Sequence, residues 1–165
     1  MKLEAFNRLD AEAARALVRP CVDIDRWVDA VVAGRPYPST AGLIDAARAS
    51  AWPWTVAEID GALAHHPRIG EHPTGGGAEA SLSRSEQAGI GMPPADVVAA
   101  LQAGNRAYEE KFARVFLIRA AGRSATEILG ALQTRLAHTE EEEIPVVAEQ
   151  LRQIALLRLE GIIGS

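Results

Sequence analysis

The chain has 165 residues, 48% of them hydrophobic and 24% charged, with a formal net charge of −5. That length suits one domain with a real core, and the balance is that of an ordinary globular protein. The negative charge argues against a nucleic-acid binder, which would carry a basic stripe, although Arg114, Arg119 and Arg123 can still meet a small anion.

Alanine and leucine supply much of the apolar content while aromatics are only 5%, which favours helix over sheet. From the N-terminus, Met1 to Phe6 shows no apolar signal-peptide core. Asp10 then caps a helix through Ala13, Ala14, Leu17 and Val18, stopped by Pro20. Cys21 is the only cysteine, so no internal disulfide or thiolate cluster can form, and its apolar setting points to a packed thiol. A second helix places Ile24, Trp27, Val28, Val31 and Val32 on one face and ends at Gly34-Arg35-Pro36. Ser39 or Thr40 caps a third, with Leu43, Ile44, Ala47 and Trp52, ended by Pro53. Thr55 and Glu58 stand at capping-box spacing before a fourth, whose inner side is Val56, Ile59 and Leu63.

The stretch Ala64-His65-His66-Pro67-Arg68-Ile69-Gly70-Glu71 follows, crowding two histidines and an arginine around a proline. A helix C-terminus favours a protonated imidazole, but His-Pro is also an ordinary helix stop. Gly70 to Ala78 reads as a turn-rich loop, and without a Gly-Lys-Ser/Thr ending or a preceding strand it is a poor phosphate loop. Ser81 or Ser83 caps a short helix, and Ser83 with Glu86 is again at capping-box spacing.

Pro93-Pro94 opens a longer helix with Val98, Leu101, Asn105, Tyr108, Phe112, Val115 and Phe116 at helical spacing, and Glu110 with Arg114 as an exposed i,i+4 pair. Gly122 breaks the pattern, and Ser124 caps a helix with Ile128, Leu129, Leu132 and Leu136. The last helix opens at Thr139 with Glu140 to Glu143 complementing its dipole, tolerates Pro145 early, and carries Val146, Val147, Leu151, Ile154, Leu157, Leu159 and Ile162. No repeat, strand pattern or membrane-length apolar run stands out, and the C-terminal Ile162-Ile163-Gly164-Ser165 is no peroxisomal address, so cytoplasm is the default location. The expectation is an all-α, single-domain multi-helix bundle of about eight helices spanning residues 1–165.

For chemistry, His66 is the foremost proton-transfer candidate, because imidazole titrates near neutrality. Glu86 supplies a carboxylate to orient a hydroxyl or ring nitrogen. One arginine among Arg68, Arg119, Arg123 and Arg158 can match a substrate carboxylate with its planar fork. A metal site from His65, His66, His72 and His138 is a weaker reading, since none falls at a His-Glu-x-x-His spacing. A serine hydrolase is weaker still, as Ser83 has no Gly-x-Ser-x-Gly elbow. A non-catalytic helical interaction module is the alternative from another class, and a metal-dependent hydrolase of a related ureido compound the third.

Taken in order, His65-His66-Pro67-Arg68-Ile69-Gly70, then Ser83-x-x-Glu86-Gln87, then Asn105-x-x-Tyr108-x-x-Lys111-Phe112 form a specific series. Gly122-Arg123-Ser124 with Glu127-Ile128-Leu129, and Ile154 with Arg158-Leu159, complete it. The series resembles the 2-oxo-4-hydroxy-4-carboxy-5-ureidoimidazoline (OHCU) decarboxylases, nearly from end to end. The resemblance implies an all-helical, cofactor-independent enzyme of urate breakdown that makes (S)-allantoin from OHCU, commonly as a homodimer; no metal is expected, and charge and hydropathy leave no nucleic-acid or membrane partner expected. It places the catalytic pair on His66 and Glu86, and substrate contacts on Pro67, Ser83, Ile118 (partly through its backbone) and Arg158. Two departures stand out: the family often has glycine where this chain has Ala113, and many members carry another residue at Arg119.

Overall fold

The computed structural model describes residues 1–71 and 77–164. The described residues are all-α, with no strand among them. In chain order the helices are α1 (Leu3–Arg8), α2 (Ala11–Val18), a 3₁₀ turn (Arg19–Cys21), α3 (Asp25–Ala33), α4 (Thr40–Ser50), α5 (Val56–Leu63), α6 (Ala78–Ala88), α7 (Ala95–Phe112), α8 (Ala125–Leu136) and α9 (Glu140–Ile163). Local hydrogen bonds start most of them where the sequence says. Asp10 accepts from the Ala13 N–H at 2.8 Å, Ser39 rather than Thr40 caps α4, and Ser124 accepts from the Glu127 N–H. Thr55 and Glu58 exchange reciprocal bonds of 3.1 and 2.9 Å ahead of α5. Each such cap satisfies orphan amide donors and stabilises a helix by about 1 kcal/mol.

The chain divides into two compact units, residues 1–62 with 151–165 and residues 63–150. In the first, Phe6, Ala14, Val18, Cys21, Trp27, Val28 and Leu43 are sealed from solvent. Burying a large aliphatic side chain in this way stabilises by about 1.5–3 kcal/mol. The Trp27 indole N–H donates to the Ala47 carbonyl at 2.9 Å, and the Tyr37 hydroxyl donates to Val31, so neither aromatic loses a hydrogen bond by burial. Cys21 is a packed thiol.

In the second unit, Ile69, Leu101, Tyr108, Phe112, Phe116, Ile118, Ile128 and Leu132 form the core. Gly104 lets α7 approach α8 closely: a Cβ there would stand 2.5 Å from Leu132 Cδ2. Helix α7 stops at Phe112 because Ala113 turns left-handed, with φ 56°. Glycine adopts that conformation without the steric penalty that alanine's Cβ meets.

Several sequence expectations need correcting. The sequence does not announce α1. Val115 and Phe116 do not extend α7 but lie beyond its end, and Arg114, also past that end, pairs with Glu140 at 2.8 Å. Trp52 lies past α4 and is exposed, as are Val56 and Leu157. Ser81 and Ser83 are not caps: α6 begins at Ala78 with Gly77 before it. All four glutamates lie in the first turn of α9 as expected, but Glu143 is fully buried there. The readings on His72 to Gly76, including His72 as a metal ligand, lie outside the described residues, as does Ser165.

Candidate active site

The segment after α5 carries His66 and is fastened residue by residue just beyond it. Arg68 makes a two-pronged pair with Glu109, at 2.6 and 3.1 Å. The Ile69 carbonyl accepts from the buried Asn105 side-chain amide at 3.0 Å. The Gly70 N–H donates to Gln87 at 3.1 Å, on a backbone with φ 88° that glycine takes without strain. Three side chains from α6 and α7 thus hold the loop that presents His66, so its position rests on packed helices rather than on a free turn.

Helix α6 supplies the facing wall. Glu79, Ser83 and Glu86 recur at steps of four and three, which puts them on one stripe. The exposure pattern agrees: Ser83 is buried and Glu79 and Glu86 partly so, while Ser81, Arg84 and Ser85 are exposed. The His66 side chain is 5% exposed, and its Nε2 stands 3.6 Å from a Glu79 carboxylate oxygen. That separation is ionic contact rather than a good hydrogen bond. Since Ser83 lies in mid-helix, its hydroxyl is not spent on capping Glu86, and the capping alternative for this pair falls. Glu79 escaped the sequence reading, although its place four residues before Ser83 on a helix was the available clue.

Pro67 is half-buried beside His66. Ile118 is 4% exposed and belongs to the core of this unit, in a non-helical run between α7 and α8. Its side chain is therefore spent on packing.

Of the candidate arginines, Arg68 is committed to Glu109 and Glu71, and Arg123 donates to the Arg119 carbonyl at 2.9 Å. Arg158 belongs to the first unit, where it is 3% exposed and donates to the Pro20 carbonyl at 2.8 Å. His65 is exposed, and His138 bonds Glu143 through Nδ1 at 2.9 Å. Among the described residues no three histidine, cysteine or acidic side chains converge as a metal site would require. A concavity of about 830 Å³ borders the same loop, lined by Arg68, Ile69, Gln87, Leu101 and Asn105 among others. It opens on a different face of α6, and none of His66, Ser83, Glu86 or Ile118 lines it, so its size does not make it the reaction site.

A second polar centre was missed altogether. Glu143, fully buried, accepts from Arg135 Nε at 2.6 Å, from the Tyr108 hydroxyl at 2.8 Å and meets His138 on its other oxygen. Burial pushes the Tyr108 phenol well above its ordinary value, against the opposing pull of Arg135, so it remains a donor at neutral pH.

The described helices thus bring a nearly buried histidine up to Glu79, on the helix face that also carries Ser83 and Glu86. The OHCU decarboxylase family model matches residues 7–160. The 2-oxo-4-hydroxy-4-carboxy-5-ureidoimidazoline decarboxylase of Amia calva is 31% identical over 136 residues, covering 81% of this chain and 78% of that protein. Two solved structures share the fold: an OHCU decarboxylase crystallised in the presence of (S)-allantoin (TM-score 0.73, 23% identity, 91% of this chain and 99% of that one) and an (S)-allantoin synthase (TM-score 0.72, 17% identity, 99% of this chain). This chain spans only 54% of the latter's length. The chain belongs to the OHCU decarboxylase family.

Proposed function

We propose that this chain is a carboxy-lyase that decarboxylates OHCU to (S)-allantoin in urate and purine breakdown, using the His66–α6 pocket. The observation that carries the reading is the nearly buried His66, 3.6 Å from Glu79 on the helix face that also carries Ser83 and Glu86, in a chain of this family. Decarboxylation breaks the bond to the carboxylate carbon, releases carbon dioxide and moves the electron pair toward the adjacent C=N group. The substrate is its own electron sink, and no cofactor is needed. What remains for the protein is to orient the carboxylate, stabilise the enol-like charge and deliver a proton to one face.

In this reading His66 gives acid–base or hydrogen-bonding assistance and Glu86 fixes the ring and its hydroxyl. Ser83 holds a polar substituent, Pro67 borders the histidine, and Ile118 meets the substrate through its backbone. Burial supports these roles, because a polar group in a dry pocket acts more strongly on a bound charge than one in water. A pure interaction module has no need of a nearly buried histidine set against a carboxylate. The family resemblance further supports a homodimer, and the lone packed thiol of Cys21 suits the reducing cytoplasm.

The test is circular dichroism of allantoin formed while urate is oxidised and hydrolysed in situ. OHCU decays by itself to racemic product, so optical activity is the discriminating readout. Rapid growth of an (S)-allantoin signal without added metal is the expected result. Slow, optically inactive product from folded protein would overturn the reading.

A further inference from the structure

The run between α7 and α8 is buried yet non-helical, and at Ile118 it is gripped on both sides. Arg135 on α8 donates through Nη1 to the Leu117 carbonyl at 2.6 Å. Gln150 on α9 accepts the Arg119 N–H at 2.9 Å. Among the described residues, nothing hydrogen-bonds the N–H or C=O of Ile118 itself. Because a peptide unit is planar and trans, fixing the Leu117 carbonyl also fixes the direction of the Ile118 N–H on the opposite side of that plane. By the same geometry, fixing the Arg119 N–H aims the Ile118 carbonyl. Each bond therefore sets one of the two polar groups that Ile118 presents.

The Arg135 end is built to stay in place. Its side chain is 5% exposed, and its guanidinium lies 4.6 Å from the Phe116 ring centroid and is bonded to the fully buried Glu143, which Tyr108 and His138 hold in turn. A buried ion pair seldom stabilises more than apolar residues of the same volume would, so its presence calls for a geometric role. Holding a backbone carbonyl at a fixed angle is such a role.

We propose that Arg135 and Gln150 are positioning residues for OHCU: they orient the N–H and C=O of Ile118 as a donor–acceptor pair for the amide-like groups of the substrate. The inference rests on the reading of Ile118 as a substrate-contacting residue. Backbone contacts of this kind hold ground state and transition state alike, so their loss raises KM more than it lowers kcat.

Gln150 is only partly buried, so Gln150→Leu removes the acceptor with little risk to folding. Its KM should rise about 5–10-fold, the scale of one misaligned hydrogen bond, with kcat nearly unchanged. Gln150→Glu, which keeps an acceptor oxygen, should retain the wild-type KM. Arg135→Lys, which keeps the charge facing Glu143 but loses the second prong, should shift KM in the same direction. An unchanged KM in folded Gln150→Leu, or the same rise in Gln150→Glu, would overturn the proposal. A parallel titration of ¹⁵N-labelled protein with (S)-allantoin separates the two levels. If the Ile118 amide does not shift in the wild type, the reading of Ile118 fails. If it shifts with the same affinity in wild type and Gln150→Leu, only the positioning role fails.

Discussion

The two units of this chain use polar residues in opposite ways. In residues 1–62 with 151–165 the ion pairs lie on the surface: Arg15 with Asp29, Arg19 with Asp23 and Asp25, Arg26 with Glu58. Such pairs contribute roughly 0–1 kcal/mol each, and apolar burial and capping carry this unit. In residues 63–150, Ser83, Asn105, Arg135 and Glu143 are buried, and each holds or forms part of a loop, a helix face or an extended run. Buried polar groups are costly unless satisfied, so a region that concentrates them gives up stability for fixed geometry. Arg158 is the buried exception in the other unit.

The largest effect should come from breaking the buried hub. Glu143→Ala leaves Arg135 buried and uncompensated and should cost about 3–5 kcal/mol in urea unfolding, a large part of a typical stability of about 5–15 kcal/mol. Replacing both partners with apolar residues should cost much less, whereas Asp29→Ala on the surface of the other unit should barely register. A Glu143→Ala variant as stable as Asp29→Ala would erase the contrast between the units.

Next come His66→Ala and Glu86→Ala, each expected to lower turnover by about 100-fold or more with the melting temperature nearly unchanged. Near-wild-type rates in both folded variants would remove the site from this unit.

A smaller effect of opposite sign is expected at Ala113. Ala113→Gly relieves a left-handed alanine and should raise stability by about 0.5–1 kcal/mol, read as a higher urea midpoint at constant slope.

The smallest concerns Glu58. The Arg26 guanidinium, with the Thr55 amide, holds its carboxyl below the usual value of 4.5. A carboxyl lowered in the folded state adds stability that is present above its unfolded pKa and lost as pH falls through the folded one. Glu58→Gln should therefore flatten the stability profile slightly below about pH 4.5, by less than about 1 kcal/mol. An acid limb identical to wild type would show that this surface pair contributes nothing.

What was legible in the sequence was what neighbours in the chain decide. The starts at Asp10, Ser39, Thr55 and Ser124 depend on side chains meeting amides three residues on, and the all-α class follows from composition and spacing. The ordered motifs named the family, and the interval between Ser83 and Glu86 put both on one helix face, as found.

Only the tertiary structure decided which of four consecutive glutamates turns inward, since Glu140 to Glu143 are alike until Tyr108, Arg135 and His138 gather around one of them. It alone ended α7 at Phe112, where helical spacing ran on to Phe116, and it alone brought Glu79 to His66 and Gln150 to Arg119. The physical reason is one of range. Propensity and capping act within a turn or two of helix, whereas the direction of a buried peptide group depends on partners far away in the chain.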